Sequence, residues 1–127
     1  MSYRILLVED NLQIQEVIND YFRSKSGGEM EIVNVADGAD GLLNVYAEEY
    51  DLLLLDIMLP GVDGYTICRK VREKSIVPII FITAKVYEDD MLRGYGLGCD
   101  DYITKPFSLS ELYAKVNALL KRYKGLV

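Results

Sequence analysis

Five polar residues in this chain of 127 sit at or just past the ends of apolar runs. Glu9 and Asp10 follow Ile5 to Val8, Asp56 follows four leucines beginning at Leu52, Thr83 closes the run from Ile79, and Lys105 comes shortly after Tyr102-Ile103. If the fold gathers those ends, three carboxylates meet, and each close pair repels by about 4 kcal/mol at an effective dielectric near 20. A positive partner is then required. Lys105 supplies one charge, and a hard divalent cation supplies the rest. Carboxylate and carbonyl oxygens suit Mg2+, which keeps several waters and usually shares its shell with phosphate. A hydroxyl and an ammonium match the equatorial oxygens of a phosphoryl group, while a carboxylate can act as the nucleophile. The set reads as a place where a phosphoryl group is received. Each member has a plainer reading alone: Asp10-Asn11 can cap a helix, Thr83 is an ordinary strand residue, and Lys105 is a surface charge. Five such groups at four strand ends favour the chemical reading.

The apolar pattern shows which elements must do the gathering. Leu52 to Asp56 is too short for a lone helix and suits a strand buried on both faces; Pro60-Gly61 and Asp63-Gly64 turn the chain directly after it. Ile5 to Val8 reads as a first strand, Ile32 to Val35 as a second, Ile79 to Thr83 as a fourth opened by Pro78, and Tyr102-Ile103 as a minimal fifth. Ile14, Val17, Ile18, Tyr21 and Phe22 trace an amphipathic helix closed by Gly27-Gly28. Asp37-Gly38 leads into a weaker helix carrying Leu42, Val45 and Tyr46, and Gly64, Ile67, Cys68 and Val71 share one side of a third. Residues 88–98 predict a short, marginal fourth helix, because Gly94, Gly96 and Gly98 each weaken it by roughly 1 kcal/mol relative to alanine. In the last helix Ser108 and Glu111 form a capping box, and Leu112, Val116, Leu119, Leu120 and Tyr123 supply the buried stripe.

Five strands alternating with five helices predict an α/β doubly wound sheet, parallel and covered on both faces; one antiparallel edge is also compatible. Ligands of such sheets sit outside the carboxyl ends of the strands at the topological switch point. With the order 2-1-3-4-5, strands one and three are neighbours there, so Glu9 and Asp10 meet Asp56, with Thr83 and Lys105 arriving from strands four and five.

Composition narrows the partners. Hydrophobic residues make up 50% and charged residues 27%, a globular balance for one domain. No apolar run approaches the length of a membrane span and the N-terminus lacks a signal-peptide pattern, so a cytoplasmic location is expected. The formal charge of −6 disfavours this domain itself gripping nucleic acid. Cys68 and Cys99 have no metal or disulfide spacing. Histidine is absent, which excludes histidine general-base catalysis, histidine-ligated zinc and a phosphohistidine carried by this chain.

Between Arg4 and about Tyr123 the sequence resembles the receiver domain of a two-component response regulator (CheY-like, flavodoxin-like fold). The motifs that carry the resemblance are Leu7-Val8-Glu9-Asp10-Asn11, the run Leu55-Asp56-Ile57-Met58-Leu59-Pro60-Gly61-Val62-Asp63-Gly64, Ile82-Thr83-Ala84, and the run from Gly98 to Phe107. The resemblance implies that Asp56 takes a phosphoryl group from a phosphohistidine on a sensor histidine kinase. It implies Mg2+ ligation by Asp10, Asp56 and the Met58 carbonyl, with Glu9 acting through water. Lys105, Thr83 and Ala84 would contact the phosphoryl group, and the Lys105-Pro106 bond would be cis. Thr83 and Tyr102 would form the switch pair, Thr83 moving toward the phosphoryl group and the aromatic ring turning inward behind it, with the glycine-weakened segment 88–98 between them able to respond. Met58 and Val86, read as the residues two past Asp56 and Thr83 that tune the lifetime of the phosphorylated state, are apolar and offer no hydrogen bond to an attacking water, so slow self-dephosphorylation is expected.

The stretch from Asp100 to Leu120 resembles the OmpR/PhoB-type subgroup, whose receivers precede a winged-helix DNA-binding domain. Those receivers dimerise through helix four, strand five and helix five, with Asp101, Glu111 and Arg122 as the candidates here. Met91, Gly96 and Asn117 replace charged residues common in that network. The expected organisation is a receiver domain over 1–124, a linker beginning at 125–127, and a missing output domain through which alone DNA would be bound. Three other classes compete. An aspartyl-nucleophile, metal-dependent phosphohydrolase of the haloacid dehalogenase type wants a second acid where Met58 stands. A flavin or nucleotide module wants a glycine- or hydroxyl-rich phosphate loop where Glu9-Asp10 would repel phosphate. A degenerate receiver that only binds partners would not need the intact acidic set. The main reading is a signalling phosphoacceptor rather than an enzyme.

Overall fold

The computed structural model describes residues 2–124, so the expected linker at 125–127 lies outside the described residues. Strands and helices alternate as β1 (Tyr3–Val8), α1 (Leu12–Ser26), β2 (Met30–Val35), α2 (Gly38–Ala47), β3 (Leu52–Leu55), α3 (Gly64–Arg72), β4 (Ile79–Thr83), α4 (Glu88–Gly96), β5 (Asp101–Thr104) and α5 (Leu109–Tyr123). All four strand pairings are parallel, in the order β2-β1-β3-β4-β5, with no antiparallel edge among the described residues.

The two-residue period of the strands divides the core between two faces. Ile5, Leu7, Leu52, Leu54, Ile80 and Ile82 point toward α1 and α5, where Ile18, Phe22, Leu112, Val116 and Leu120 meet them. Leu6, Val8, Leu53, Leu55 and Phe81 point the other way, toward Tyr65, Ile67, Cys68 and Val71 of α3. The four leucines of β3 are at most 1% exposed, and burial of each contributes about 2 kcal/mol. A strand filled on both faces cannot slide without exposing a row of leucines, so Asp56 at its tip is fixed in depth.

Helix ends follow their local chemistry. Gly27 closes α1 in the left-handed region at φ 62°, its N–H reaching the Arg23 and Ser24 carbonyls. Asn11, Asp37, Asp63 and Ser108 each accept a backbone N–H at a helix start. Tyr87 at the start of α4 makes no such side-chain bond. The buried stripes are narrower than their periodicity predicts. Val17, Tyr46 and Tyr123 are exposed rather than buried: Val17 lies beside the line of Ile18 and Phe22 that α1 buries, and Tyr46 and Tyr123 stand in the last turns of α2 and α5. No helix among the described residues is long and apolar enough to cross a membrane.

Candidate functional site

Register places the acids. Val8 pairs with Leu55, and the Asp56 N–H donates to the Val8 carbonyl at 3.0 Å, so Glu9 and Asp56 leave neighbouring strands at one level. On the other side Thr83 pairs with Thr104, and the Lys105 N–H donates to the Thr83 carbonyl at 2.8 Å. The Lys105-Pro106 peptide is cis, as the resemblance implied. Lys105 reaches across the mouth: its Nζ lies 2.8 Å from Asp56 Oδ2 and 2.6 Å from Glu9 Oε1. Asp10 is exposed at the rim. Asn11, not Asp10, caps α1, with Oδ1 accepting the Ile14 N–H at 3.1 Å, which leaves the Asp10 carboxylate to the site.

Glu9 and Asp56 are 1% and 4% exposed. Burial pushes the Glu9 pKa above the ordinary carboxylate value; Lys105 and the Asn11 N–H pull it back, and the Asp56 charge adds to the rise. Burial drives the Lys105 ammonium toward neutrality, but its bonds to Asp56 and Glu9 outweigh that, and its pKa ends above the ordinary lysine value. One oxygen from each of Glu9, Asp10 and Asp56 lies within 4.8 Å of the others. That all-oxygen, strongly anionic donor set fits a hard divalent cation such as Mg2+, and one lysine alone does not balance three carboxylates.

Thr83 is fully buried, its Oγ1 accepting the Lys85 N–H at 3.3 Å, while Ala84 is exposed just beyond the strand. The Met58 N–H donates to Asp56 Oδ1 at 3.1 Å, and its side chain is 60% exposed at the rim. Val86 requires a correction of position. It stands three residues past Thr83 and is exposed; the place two residues past belongs to Lys85, whose Nζ lies 3.7 Å from Asp90 Oδ1. Tyr102 is turned inward, with its hydroxyl donating to the Lys85 carbonyl at 2.9 Å.

The dimer-surface candidates are not gathered at the acid mouth. Asp101 Oδ2 pairs with Lys115 Nζ at 2.9 Å within the chain. The Glu111 N–H donates to Ser108 Oγ at 3.2 Å, the capping half of the expected box, and Arg122 belongs to the last turn of α5. Sequence reasoning missed Tyr65, whose buried hydroxyl donates to the Asp90 carbonyl at 2.9 Å. It also missed Gln15, whose amide donates to the Glu9 carbonyl at 2.6 Å. A tyrosine directly after a glycine in a tight turn was the available signal for the first. A cleft of about 560 Å³ beside the site is lined by Asp10, Met58, Tyr65, Lys85 and Arg93 among others. A larger one, about 710 Å³, lies at the opposite end of the sheet around Tyr46, Asp51, Lys74 and Lys124. It touches none of the acid cluster, so the chemistry belongs to the smaller.

Known proteins share this arrangement. The model of the response regulator receiver domain matches residues 5–117. The chain is 48% identical over 122 residues to "Uncharacterized transcriptional regulatory protein YclJ" of Bacillus subtilis (strain 168), covering 96% of this chain and 52% of that protein. The chain thus spans about half the length of that curated relative. It is 34% identical, at a TM-score of 0.79 and coverage of 98% and 99%, to the receiver domain of the Pseudomonas aeruginosa PAO1 sensor histidine kinase PA1611, solved with a magnesium ion coordinated in its active-site cleft. It is 30% identical to DrrB, a Thermotoga maritima OmpR/PhoB homolog, with a TM-score of 0.86 over 97% of this chain and 54% of that one.

Proposed function

Because the chain belongs to the response regulator receiver domain family, we propose that it is a phosphorylation-controlled switch in which Asp56 accepts a phosphoryl group from a phosphohistidine on a sensor histidine kinase. The observation that carries this reading is Asp56 itself: a carboxylate 4% exposed at the tip of a strand buried on both faces, with an ammonium at 2.8 Å. A carboxylate oxygen of Asp56 attacks phosphorus, the P–N bond to the imidazole breaks, and its electron pair returns to the ring nitrogen. Lys105 holds an equatorial oxygen and screens the charge between Asp56 and the incoming group. Thr83 and the backbone at Ala84 take the remaining oxygens.

Asp10, Asp56 and the Met58 carbonyl would hold Mg2+, with Glu9 bridged by water; the bound ion would neutralise the acid cluster and the charge on the phosphoryl oxygens. Phosphorylation adds charge beside Thr83, and Thr83 with Tyr102 passes the change to α4, β5 and α5. That surface then controls an output beyond this domain, transcription through a DNA-binding domain, with homodimerisation at Asp101, Glu111 and Arg122. For Asp101 this means exchanging Lys115 for a partner's cation. The domain works in the cytoplasm. Slow self-dephosphorylation rests on apolar Met58 at the rim, which offers no hydrogen bond to an attacking water, since Lys85 rather than Val86 stands two residues past Thr83; loss of the adduct within seconds would overturn it.

The test is intact mass after incubation with acetyl phosphate and Mg2+. A single phosphoryl adduct on the wild type, absent from Asp56→Asn and suppressed by a chelator, is the expected result. Rapid turnover of acetyl phosphate without an adduct would instead establish a phosphohydrolase.

A further inference from the structure

Gln15 takes no part in the acid cluster, yet its side chain turns back to it from the start of α1. The residue is half-buried, and its own N–H opens the helical ladder by donating to the Asn11 carbonyl at 3.1 Å. Its side-chain amide donates to the Glu9 carbonyl at 2.6 Å and reaches the Val35 carbonyl, at the end of β2, at 3.5 Å. The Val35 carbonyl also accepts the Glu9 N–H at 3.0 Å. One side chain therefore joins the helix, the acid loop and the edge strand. A glutamine left in water keeps its rotamer freedom, so holding this geometry has an entropic cost that the loop must recover.

What the loop gains is the direction of Asp10. The Glu9 carbonyl and the Asp10 N–H belong to one planar peptide unit, so fixing the oxygen fixes the plane that precedes Asp10. The residue after Asp10 is fixed as well: the Asn11 N–H donates to Glu9 Oε2 at 3.0 Å, and Asn11 Oδ1 caps α1. The Asp10 carboxylate has no anchor of its own. It is exposed and, among the described residues, makes no hydrogen bond or ion pair. Lys105 holds both Glu9 and Asp56, but Asp10 depends on its backbone alone. With one oxygen of each acid within 4.8 Å of the others, repulsion drives the exposed member outward to water unless that backbone is held.

We propose that Gln15 is a positioning residue of the cation site: its amide holds the Glu9–Asp10 peptide so that the Asp10 carboxylate stays aimed at the acid mouth. The role of the ion rests on the Mg2+-dependent phosphoacceptor reading of Asp56; the hydrogen bond that aims Asp10 belongs to this chain alone. Gln15 touches neither the ion nor the phosphoryl group, so it acts on the affinity for the ion and not on the later response.

Mg2+ titration of the whole chain without a phosphoryl donor, read as amide NMR shifts at Asp10 and Asp56, tests this. Gln15→Met keeps the length and the helix propensity but loses the donor, and its Mg2+ affinity should fall roughly tenfold, as for other residues that orient a metal ligand. Gln15→Asn keeps the amide on a stem too short to reach Glu9 and should lose as much. Gln13→Met, at an exposed position of the same helix, should bind Mg2+ like the wild type. At saturating Mg2+ the Gln15 variants should respond normally to beryllium trifluoride, a stand-in for the phosphoryl group, read as hydrogen exchange at residues 85–91. Unchanged Mg2+ affinity in both Gln15 variants overturns the proposal, as does an equal loss in Gln13→Met. A response that stays weak at saturating Mg2+ overturns it too, because Gln15 then supports the fold as a whole. A wild type without any Mg2+ shifts strikes the metal-dependent reading of Asp56 and the role of Gln15 with it. Normal Mg2+ binding in the wild type, matched by Gln15→Met and Gln15→Asn, strikes the role of Gln15 alone.

Discussion

Helices α3 and α4 each have nine residues and pack on the same face of the sheet, yet they are secured differently. α3 buries Gly64, Tyr65, Ile67, Cys68 and Val71, and Asp63 caps it by accepting the Thr66 N–H at 2.8 Å. α4 buries only Gly94 and starts at Tyr87 without a side-chain cap. Leu92, Tyr95 and Tyr87 are exposed. The helix attached to the acceptor loop is thus part of the core, while the helix over Thr83 and Tyr102 is held by hydrogen bonds that cost little to break. Low local stability is what a responding element needs, and a stationary acceptor is what phosphoryl transfer needs.

That contrast can be broken at its firm side first. Gly64→Ala forces a methyl group into the Asp56 carbonyl and should destabilise the domain by about 3 kcal/mol in urea unfolding. Removal of the α3 cap by Asp63→Ala should cost about 1 kcal/mol by the same measurement. Gly96→Ala should do the reverse. No atom lies within 4 Å of the added methyl, so it should stabilise α4 by roughly 0.5 kcal/mol and slow the response of residues 85–91 to beryllium trifluoride. Equal destabilisation at Gly64 and Gly96 would erase the distinction between the helices.

The two cysteines sharpen it through pH. Burial pushes the Cys68 thiol up to about 11 and the Cys99 thiol up to about 12, against an ordinary value of 9.0. Both folded values lie above the unfolded one. The associated stability is therefore full below pH 9 and is lost as pH rises through 11 to 12. Urea midpoints should fall between pH 8 and pH 10. At pH 8 a thiol reagent should reach Cys99, beside the end of α4, before Cys68, inside α3.

The sheet and its acid cluster were legible because both are written in local pattern. Runs such as Leu52 to Leu55 fix strands, and a parallel sheet brings their carboxyl ends together whatever the details. Once Val8 and Leu55 pair, Glu9 and Asp56 have nowhere else to go. What escaped depends on distances between elements far apart in sequence. Gly94 read as a weak point in a helix, and it is one. Its other role, clearance over Phe81, exists only after β4 and α4 have packed. Tyr65 follows a glycine at a helix start, but nothing in its neighbours announces Asp90, 25 positions away. Val17 and Tyr123 fit the helical period but are exposed, and periodicity alone does not say which positions of a face the sheet will cover.

The sheet also keeps two sets of books. Side chains that seat α1 and α5 are Ile5, Leu7, Leu52 and Leu54; those beneath α3 and α4 are Leu6, Val8, Leu53, Leu55 and Phe81. Among the described residues no buried side chain belongs to both sets, so substitutions can accumulate under one pair of helices without disturbing the packing of the other. For an engineer this makes α4 and its neighbours an exchangeable cassette. A new recognition surface could be grafted there while the packing of the opposite face is inherited intact.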